Sequence, residues 1–267
     1  MGSGFTEEHR GGAGPPLLLL HGFTATWRTW ELVLGGLERS HEVLAPTLAG
    51  HAGARPADGP LSAEALLDAV EQRMDAAGWR TAHIAGNSLG GYLALRLAAR
   101  GRAESVVALA PAGGWAADGD FFAATLVPFF TGMREQLIAA EPQLDVMLAS
   151  VEGRRLATAP MVCNFEHIPV ELLADQARGA IACEAASELM QSALSSGFPL
   201  DAERIECPVR IVWGVEDAIL PWPDAAVRYC EDWLPQADWV VLDGVGHMPQ
   251  LDVPLETAQL IAGAAVR

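Results

Sequence analysis

Lysine is missing from this 267-residue chain, and all 17 of its basic side chains are arginines. Without lysine the protein cannot form a Schiff base, anchor pyridoxal phosphate or build a phosphate-binding P-loop. Positive charge is also scarce, because 34 acidic side chains bring the formal net charge to −17. Nucleic acids and anionic membrane surfaces attract clustered positive charge, so we expect neither of them as a partner.

Paired cysteines and long apolar segments are missing too. The cysteines are Cys163, Cys183, Cys207 and Cys230. None of them forms a CxxC pair, which excludes the common zinc and thioredoxin-type motifs, and we expect reduced thiols. No apolar run approaches the ~18 residues needed to cross a bilayer. The glycine-rich residues 1–16 lack the apolar stretch of a signal peptide, so we expect a cytoplasmic protein.

What the chain does contain is an alternation of short apolar runs and helical patterns. The runs cover residues 16–20, 42–46, 83–85, 105–110, 208–213 and 239–242. The helical patterns cover residues 27–37, 62–78, 89–100 and 222–234 and a segment that begins near Leu255. Apolar runs bounded by turn residues are typical of strands buried on both faces of a parallel sheet. The pattern therefore predicts an α/β fold with a mostly parallel central sheet flanked by helices.

The alternation stops in the middle of the chain. Residues 114–205 show no strand pattern, and their apolar residues lie mostly at helical spacings. We therefore predict that residues 1–113 and 206–267 form the α/β core. Residues 114–205 are predicted to form a helical insertion, a name we keep below.

The sharpest local signal is the GxSxG sequence Gly86-Asn-Ser-Leu-Gly90, which stands between a predicted strand and a predicted helix. Small flanking residues allow an abrupt turn that exposes the oxygen of Ser88. The helix N-terminus that follows favours developing negative charge. Ser88 is therefore predicted to be a nucleophile.

A serine needs a base that accepts its proton, and His247 is the best placed of the seven histidines. It follows the last predicted strand, at the sheet edge where ligands of open α/β folds bind. Asp217 follows the preceding strand and is predicted to orient His247, although the adjacent Glu216 could replace it. His21 is interpreted as a structural residue. The remaining histidines share no metal-ligand spacing, and we predict no metal site.

Two backbone donors should stabilise the oxyanion that forms during acyl transfer. Leu89, which follows Ser88, would supply one N–H group. Phe23, which follows the His21-Gly22 pair at the end of the first apolar run, would supply the other. A substrate pocket is predicted from apolar side chains near these residues. The predicted pocket residues are Trp27, Phe129, Phe130 and Met248.

Together these segments resemble the α/β-hydrolase fold superfamily. The matching stretches, in order, are 21–23, 86–91, 214–217 and 246–247. The resemblance implies hydrolysis through an acyl-serine intermediate, without a cofactor, beneath a helical cap. Family members usually begin with two antiparallel strands before the HG strand. Only about 14 residues precede that strand here, so we expect a shortened or missing antiparallel edge.

Residue types narrow the reaction. Dehalogenase-like and epoxide hydrolase-like branches attack with aspartate, and hydroxynitrile lyase-like branches use a lysine, so these interpretations are set aside. Cleavage of a neutral, apolar carboxylic ester of small to medium size is the favoured hypothesis. C–C bond hydrolysis of ring-cleavage products and lactonase, perhydrolase or thioesterase activity stay open, as does a binding protein on the same fold. We expect a small-molecule ester partner and a monomer or homodimer.

The negative charge is unevenly distributed. Residues 1–114 contain 11 acids and 9 bases, residues 115–205 contain 13 and 5, and residues 206–267 contain 10 and 3. The corresponding net charges are −2, −8 and −7. This distribution predicts that anionic substrates are steered less well than neutral ones, which disfavours the anionic ring-cleavage products.

Overall fold

A computed structural model describes residues 4–55 and 59–264 of the chain. Residues 1–3, 56–58 and 265–267, which belong to the predicted core, lie outside the described residues. The strands are β1 (Glu8–Gly12), β2 (Pro16–Leu20), β3 (Glu42–Pro46), β4 (Ala82–Asn87), β5 (Ala103–Leu109), β6 (Val209–Gly214) and β7 (Asp238–Leu242). They form one sheet in the order β1-β3-β2-β4-β5-β6-β7. This confirms the predicted α/β fold with a mostly parallel sheet.

The apolar runs form the centre of the sheet because both of their faces are covered. All four leucines of β2 are buried, and β2 pairs in parallel with β3 and β4. The antiparallel edge is shortened rather than missing. Within residues 4–55 and 59–264 it consists of the single strand β1, which pairs with β3 from Glu8 opposite Pro46 to Gly12 opposite Glu42.

Helices cover both faces of the sheet. The core helices are α1 (Glu31–Leu37), α2 (Ala63–Ala76), α3 (Leu89–Ala99), α9 (Pro249–Asp252) and α10 (Pro254–Ala264). Residues of α2 and α3 pack in the cluster on one face, and residues of α1 and α10 pack in the cluster on the other. The helix predicted at 222–234 is shorter than expected, with a 3₁₀ turn at Asp224–Ala226 and a π turn at Tyr229–Trp233.

The helical insertion contains α4 (Val127–Ala140), α5 (Leu144–Leu148), α6 (Val151–Thr158), α7 (Val170–Ile181) and α8 (Ala186–Ser196). All residues from 114 to 205 are described, and none of them lies in a strand. Side chains of α5 and α7 share a small apolar cluster with Met248 and Leu251 of the core. Across residues 4–55 and 59–264, no helix is both long and apolar enough to cross a membrane.

The insertion is also tied to the core by an ion pair. Arg28 in the 3₁₀ turn Trp27–Trp30 donates to the buried carboxylate of Asp175 on α7, with 3.0 Å between Nη1 and Oδ1. Burial raises the pKa of Asp175, and the Arg28 guanidinium opposes that rise. This contact helps to fix α7 against the edge of the sheet.

Candidate active site

Ser88 occupies the sharp turn between β4 and α3. Its backbone angles, φ 56° and ψ −116°, are costly for a residue with a side chain. The flanking glycines are required by close contact. A β-carbon on Gly86 would lie 2.2 Å from the Gly90 carbonyl oxygen, and one on Gly90 would lie 2.1 Å from the Leu20 carbonyl oxygen. The GxSxG sequence therefore allows α3 to begin directly against the ends of β2 and β4.

His247 and Asp217 form a buried pair beside this turn. The His247 Nδ1 atom lies 2.7 Å from Asp217 Oδ2. The other carboxylate oxygen, Oδ1, accepts the Ile219 N–H at 2.9 Å and the Leu220 N–H at 2.7 Å. Glu216 is exposed to solvent. The geometry therefore favours Asp217 over Glu216 as the carboxylate that orients His247.

Ser88 and His247 line the same cavity. Among the described contacts, no hydrogen bond yet joins the Ser88 hydroxyl to the His247 ring. Bonds between a nucleophile and its base are often long without substrate and tighten when substrate binds. Ser88 and His247 therefore face one cavity, in which substrate binding can bring the hydroxyl and the ring within hydrogen-bond distance.

The two candidate oxyanion donors lie on either side of Ser88. A β-carbon on Gly22 would lie 3.4 Å from the Ser88 β-carbon, which places the start of the Phe23 loop against the turn. Within residues 4–55 and 59–264, neither the Phe23 N–H nor the Leu89 N–H donates to another protein group. Leu89 is also the first residue of α3, where the helix leaves its N–H groups free. Both groups can therefore donate to a substrate oxygen.

His21 and His51 form a neutral support under the Phe23 loop. His21 Nε2 accepts the Leu48 N–H at 2.8 Å, so Nδ1 carries the proton and donates to the Gly22 carbonyl at 2.8 Å. Burial, and then the neighbouring His51, hold the pKa of His21 well below its usual range. Burial lowers the pKa of His51 to about 4. His21 is therefore structural, in agreement with the interpretation of the sequence.

Sequence reasoning missed a buried amide network behind the site. Asn87 Nδ2 donates to the His247 carbonyl at 2.9 Å and to the Leu109 carbonyl at 3.2 Å. Its Oδ1 accepts from the Gln250 side chain at 3.2 Å. Asn87 thus links the turn of Ser88 directly to the loop of His247. The position of Asn87 inside the GxSxG sequence suggested that it lies near the site, but the sequence does not reveal which groups its side chain contacts.

Sequence reasoning also missed Asp252, a fully buried carboxylate on α9. Its oxygens accept the backbone N–H groups of Gly246 at 2.6 Å, Cys163 at 2.9 Å and Asn164 at 2.7 Å. The Asn164 side chain adds a fourth hydrogen bond at 2.7 Å. Asp252 therefore joins the loop of His247 to the helical insertion.

Ser88 borders two cavities of different size. The larger one, about 350 Å³, contains His247 and Met248 and is walled mainly by the insertion. The smaller one, about 70 Å³, contains Leu89 and a set of aromatic side chains. We call them the large compartment and the small compartment. Four residues line both, namely Phe23, Ser88, Phe130 and Ile219.

Two predicted pocket residues lie elsewhere. Trp27 stacks on His9 with ring centres 5.1 Å apart, and its indole N–H donates to Thr6, so it packs on the antiparallel edge. Phe129 lines neither compartment. It packs instead against Phe130, with ring centres 5.1 Å apart. Consecutive residues of a helix point in different directions, so only one of these two phenylalanines can face Ser88.

Neither compartment is lined by an aspartate, glutamate or arginine of the described chain. Across residues 4–55 and 59–264 there is also no group of three or more His, Cys, Asp and Glu side chains arranged to hold a metal ion. Beside Ser88 the site presents a hydroxyl, an imidazole–carboxylate pair and backbone N–H donors.

Comparison with known proteins places these features in a family context. A family model described as the alpha/beta hydrolase family matches residues 17–260. The protein named epoxide hydrolase EphH from Mycobacterium tuberculosis is 34% identical over 211 residues, which covers 75% of this chain and 94% of that protein. The pimeloyl-[acyl-carrier protein] methyl ester esterase of Aromatoleum aromaticum is 29% identical and covers 92% of this chain and 96% of its own length.

A solved structure of the enol-lactonase from Burkholderia xenovorans LB400 superposes with a TM-score of 0.74 at 19% identity. The match covers 97% of this chain and 96% of that one. At this identity the likeness concerns the fold alone.

Proposed function

Given that the chain belongs to the alpha/beta hydrolase family, we propose that it is a serine hydrolase that cleaves neutral carboxylic esters. The observation that carries the proposal is the buried Asp217–His247 pair, which opens into the same uncharged cavity as the strained Ser88. Small-molecule esters are the proposed substrates, and no cofactor takes part in the proposed reaction.

The geometry supports the following steps. His247 Nε2 accepts the Ser88 proton as the Ser88 oxygen attacks the ester carbonyl, and Asp217 stabilises the imidazolium that forms. The Phe23 and Leu89 N–H groups donate to the developing oxyanion. His247 then gives its proton to the leaving alcohol, which leaves an acyl group on Ser88. Water, deprotonated by His247, attacks this acyl-enzyme and releases the acid.

Epoxide opening, which the name of one relative suggests, does not suit Ser88 as the nucleophile. An aspartate that opens an epoxide forms an ester, which water can cleave, whereas Ser88 would form a stable ether. Neither tyrosine is available to activate an epoxide oxygen. Tyr92 donates its phenol proton to the Pro199 carbonyl at 2.8 Å, and Tyr229 donates to the Ala112 carbonyl at 2.7 Å.

The charge of the cavities separates esters from ring-cleavage products. Those products carry a carboxylate, and burying an unpaired carboxylate is strongly unfavourable. The described walls of both compartments offer no arginine to pair with it. A neutral ester needs no such partner, so this observation favours ester cleavage over C–C bond hydrolysis.

A panel of substrates tests the proposal. We expect p-nitrophenyl acetate and butyrate to be hydrolysed well above the rate of a Ser88→Ala variant, and a fluorophosphonate probe to label wild type but not Ser88→Ala. Lactones, thioesters and one dienone acid complete the panel. A folded protein that resists the probe would contradict the serine hydrolase assignment, and faster turnover of the dienone acid than of the esters would move it to C–C bond cleavage.

A further inference from the structure

The position of Ser88 between two compartments determines the orientation in which an ester can bind. The residues that line both compartments form a narrow junction around the Ser88 side chain, in which Phe23 and Phe130 stand edge to face with ring centres 5.0 Å apart. Phe130 comes from α4 and Phe23 from the loop after β2. An ester bound at Ser88 must therefore place its acyl part on one side of this junction and its alcohol part on the other.

His247 decides which part goes to which side. It lines the large compartment and does not line the small one. The leaving oxygen must receive its proton from His247 within hydrogen-bond distance. The alcohol therefore has to lie in the large compartment. The acyl group, which stays attached to Ser88, is left with the small compartment beside Leu89.

We propose that this protein selects esters of short-chain acids with bulky, uncharged alcohols, with the acyl group in the small compartment and the alcohol in the large one. The proposal rests on the serine hydrolase function proposed above and adds the orientation and size of the substrate.

The volumes set the expected limits. A dry cavity of roughly 150 Å³ can bind benzene. The small compartment, at about 70 Å³, has less than half this volume, and the large compartment, at about 350 Å³, has more than twice this volume. We therefore expect a phenyl ring to bind in the large compartment and not in the small one. Aromatic side chains pack against one another around the small compartment. Phe122 stacks on Trp115 with ring centres 5.9 Å apart. The ring centre of Phe198 lies 4.9 Å from that of Trp115 and 5.2 Å from that of Phe122.

The large compartment also carries polar groups suited to a neutral substrate. Gln136, Thr158 and Gln176 line it. The Gln176 side-chain nitrogen is buried and makes no hydrogen bond within the described chain. A buried donor without a partner is costly. This nitrogen has almost no exposed surface, so the Gln176 amide must turn toward the compartment before an ether or carbonyl oxygen of the alcohol can accept from it. Gln176 is therefore assigned as a specificity residue for the alcohol.

Two isomeric esters test the direction, because they contain the same atoms with the ester reversed. In 2-phenylethyl acetate the phenyl ring belongs to the alcohol, and in ethyl phenylacetate it belongs to the acid. We expect kcat/KM to be at least about tenfold higher for 2-phenylethyl acetate. Equal values or the opposite preference would overturn the proposal. Failure of both isomers and of p-nitrophenyl acetate to exceed Ser88→Ala would instead contradict the serine hydrolase function.

A pair of variants ties the preference to the small compartment. Phe122→Ala removes one aromatic wall, so we expect the difference between the isomers to narrow, through faster cleavage of ethyl phenylacetate. Leu194→Ala removes an exposed apolar side chain of α8 that lines neither compartment, and we expect it to retain the wild-type ratio. Labelling of Ser88 by a fluorophosphonate checks that each variant is folded. An unchanged ratio in labelled Phe122→Ala would count against the assignment.

Discussion

The sheet side of the site and the helical insertion are built by different means. On the sheet side, backbone contacts hold the reacting groups: Asp217 accepts two N–H groups, and Gly90 lies against the Leu20 carbonyl. The insertion contributes side chains from helices that are less deeply buried. Its helix α4, which carries Phe130, has no fully buried residue. Large exposed apolar side chains are also concentrated there, namely Ile138, Val146, Val151, Leu156 and Leu194.

This difference separates chemistry from selectivity. A change on the sheet side disturbs atoms whose positions are fixed by close packing, so its cost is large. A change in the insertion alters the walls of a cavity, and its cost depends on the substrate. We therefore expect sheet-side variants to affect all substrates alike, and insertion variants to affect substrates selectively.

The largest effect is expected for Asp217→Asn. Loss of the carboxylate leaves His247 in the wrong tautomer and removes the charge that stabilises its protonated form, so kcat should fall by about 10⁴ for every ester. The measurement is kcat for p-nitrophenyl acetate. Glu216→Gln, next to it but exposed, is the control and should behave like wild type. A small loss in Asp217→Asn with a large loss in Glu216→Gln would reverse their roles.

Two helical glycines compare the regions directly. The β-carbon of Gly90→Ala would meet the backbone of β2, so we expect the free energy of unfolding to fall by about 3 kcal/mol. The β-carbon of Gly132→Ala in α4 would meet no described atom within 4 Å, and we expect a gain of about 0.5–1 kcal/mol. Denaturant titration measures both. Similar effects in both variants would break the contrast between the two regions.

Asp252→Asn tests the contact between the loop of His247 and the insertion. The substitution replaces one carboxylate oxygen by an NH2 group, which faces N–H donors and cannot accept hydrogen bonds from them. We therefore expect a loss of about 2–3 kcal/mol in the free energy of unfolding. Because Asp252 binds both Gly246 and the loop at 163–164, kcat should fall for all esters as well. Asp243→Asn, at an exposed aspartate nine residues before Asp252, serves as the control. Wild-type stability in Asp252→Asn would show that the contact between the loop of His247 and the insertion does not depend on this carboxylate.

Acid should lower the stability of the protein through buried His51 on the sheet side. The pKa of His51 is about 4 in the folded protein, against about 6.5 in the unfolded chain, so only the unfolded chain gains this proton as the pH falls between these values. The stabilising contribution is present above about pH 6.5 and is lost below it. From pH 7 to pH 5 we expect the free energy of unfolding to fall by about 2 kcal/mol on account of His51.

Unfolding by denaturant at the two pH values measures this loss. His51→Asn keeps a side-chain donor but does not titrate in this range. If the two proteins lose the same stability between pH 7 and pH 5, His51 is not the responsible group.

The smallest effect is expected for Gln176→Leu in the insertion. The substrates 2-phenoxyethyl acetate and 3-phenylpropyl acetate differ only by an ether oxygen in place of a methylene in the alcohol. We expect the ratio of their kcat/KM values, ether over methylene, to fall by about three- to tenfold in the variant. Gln191→Leu, exposed on α8, should keep the wild-type ratio. An unchanged ratio in Gln176→Leu would contradict the proposed contact between the Gln176 amide and an oxygen of the alcohol.

The sequence predicted those parts of the molecule that depend on local patterns. Apolar runs such as 16–20 and 42–46 became β2 and β3 with the predicted bounds, because strands buried on both faces must be apolar throughout. The motif around Ser88 could be identified because few residues other than glycine fit the turn. The strand β1, with its charged and small residues, was not predicted, because an edge strand has no continuous apolar signal.

The sequence by itself determined the fold and nominated Ser88, Asp217 and His247, since strand periodicity and the chemistry of a nucleophile leave local traces. Only the tertiary structure decided which side chains surround the substrate. It excluded Trp27 and Phe129 from the compartments, joined Asn87 and Asp252 to the His247 loop, and divided the space at Ser88 in two. These contacts join residues up to 160 positions apart, and their pairing depends on how helices pack in three dimensions, which no local pattern encodes.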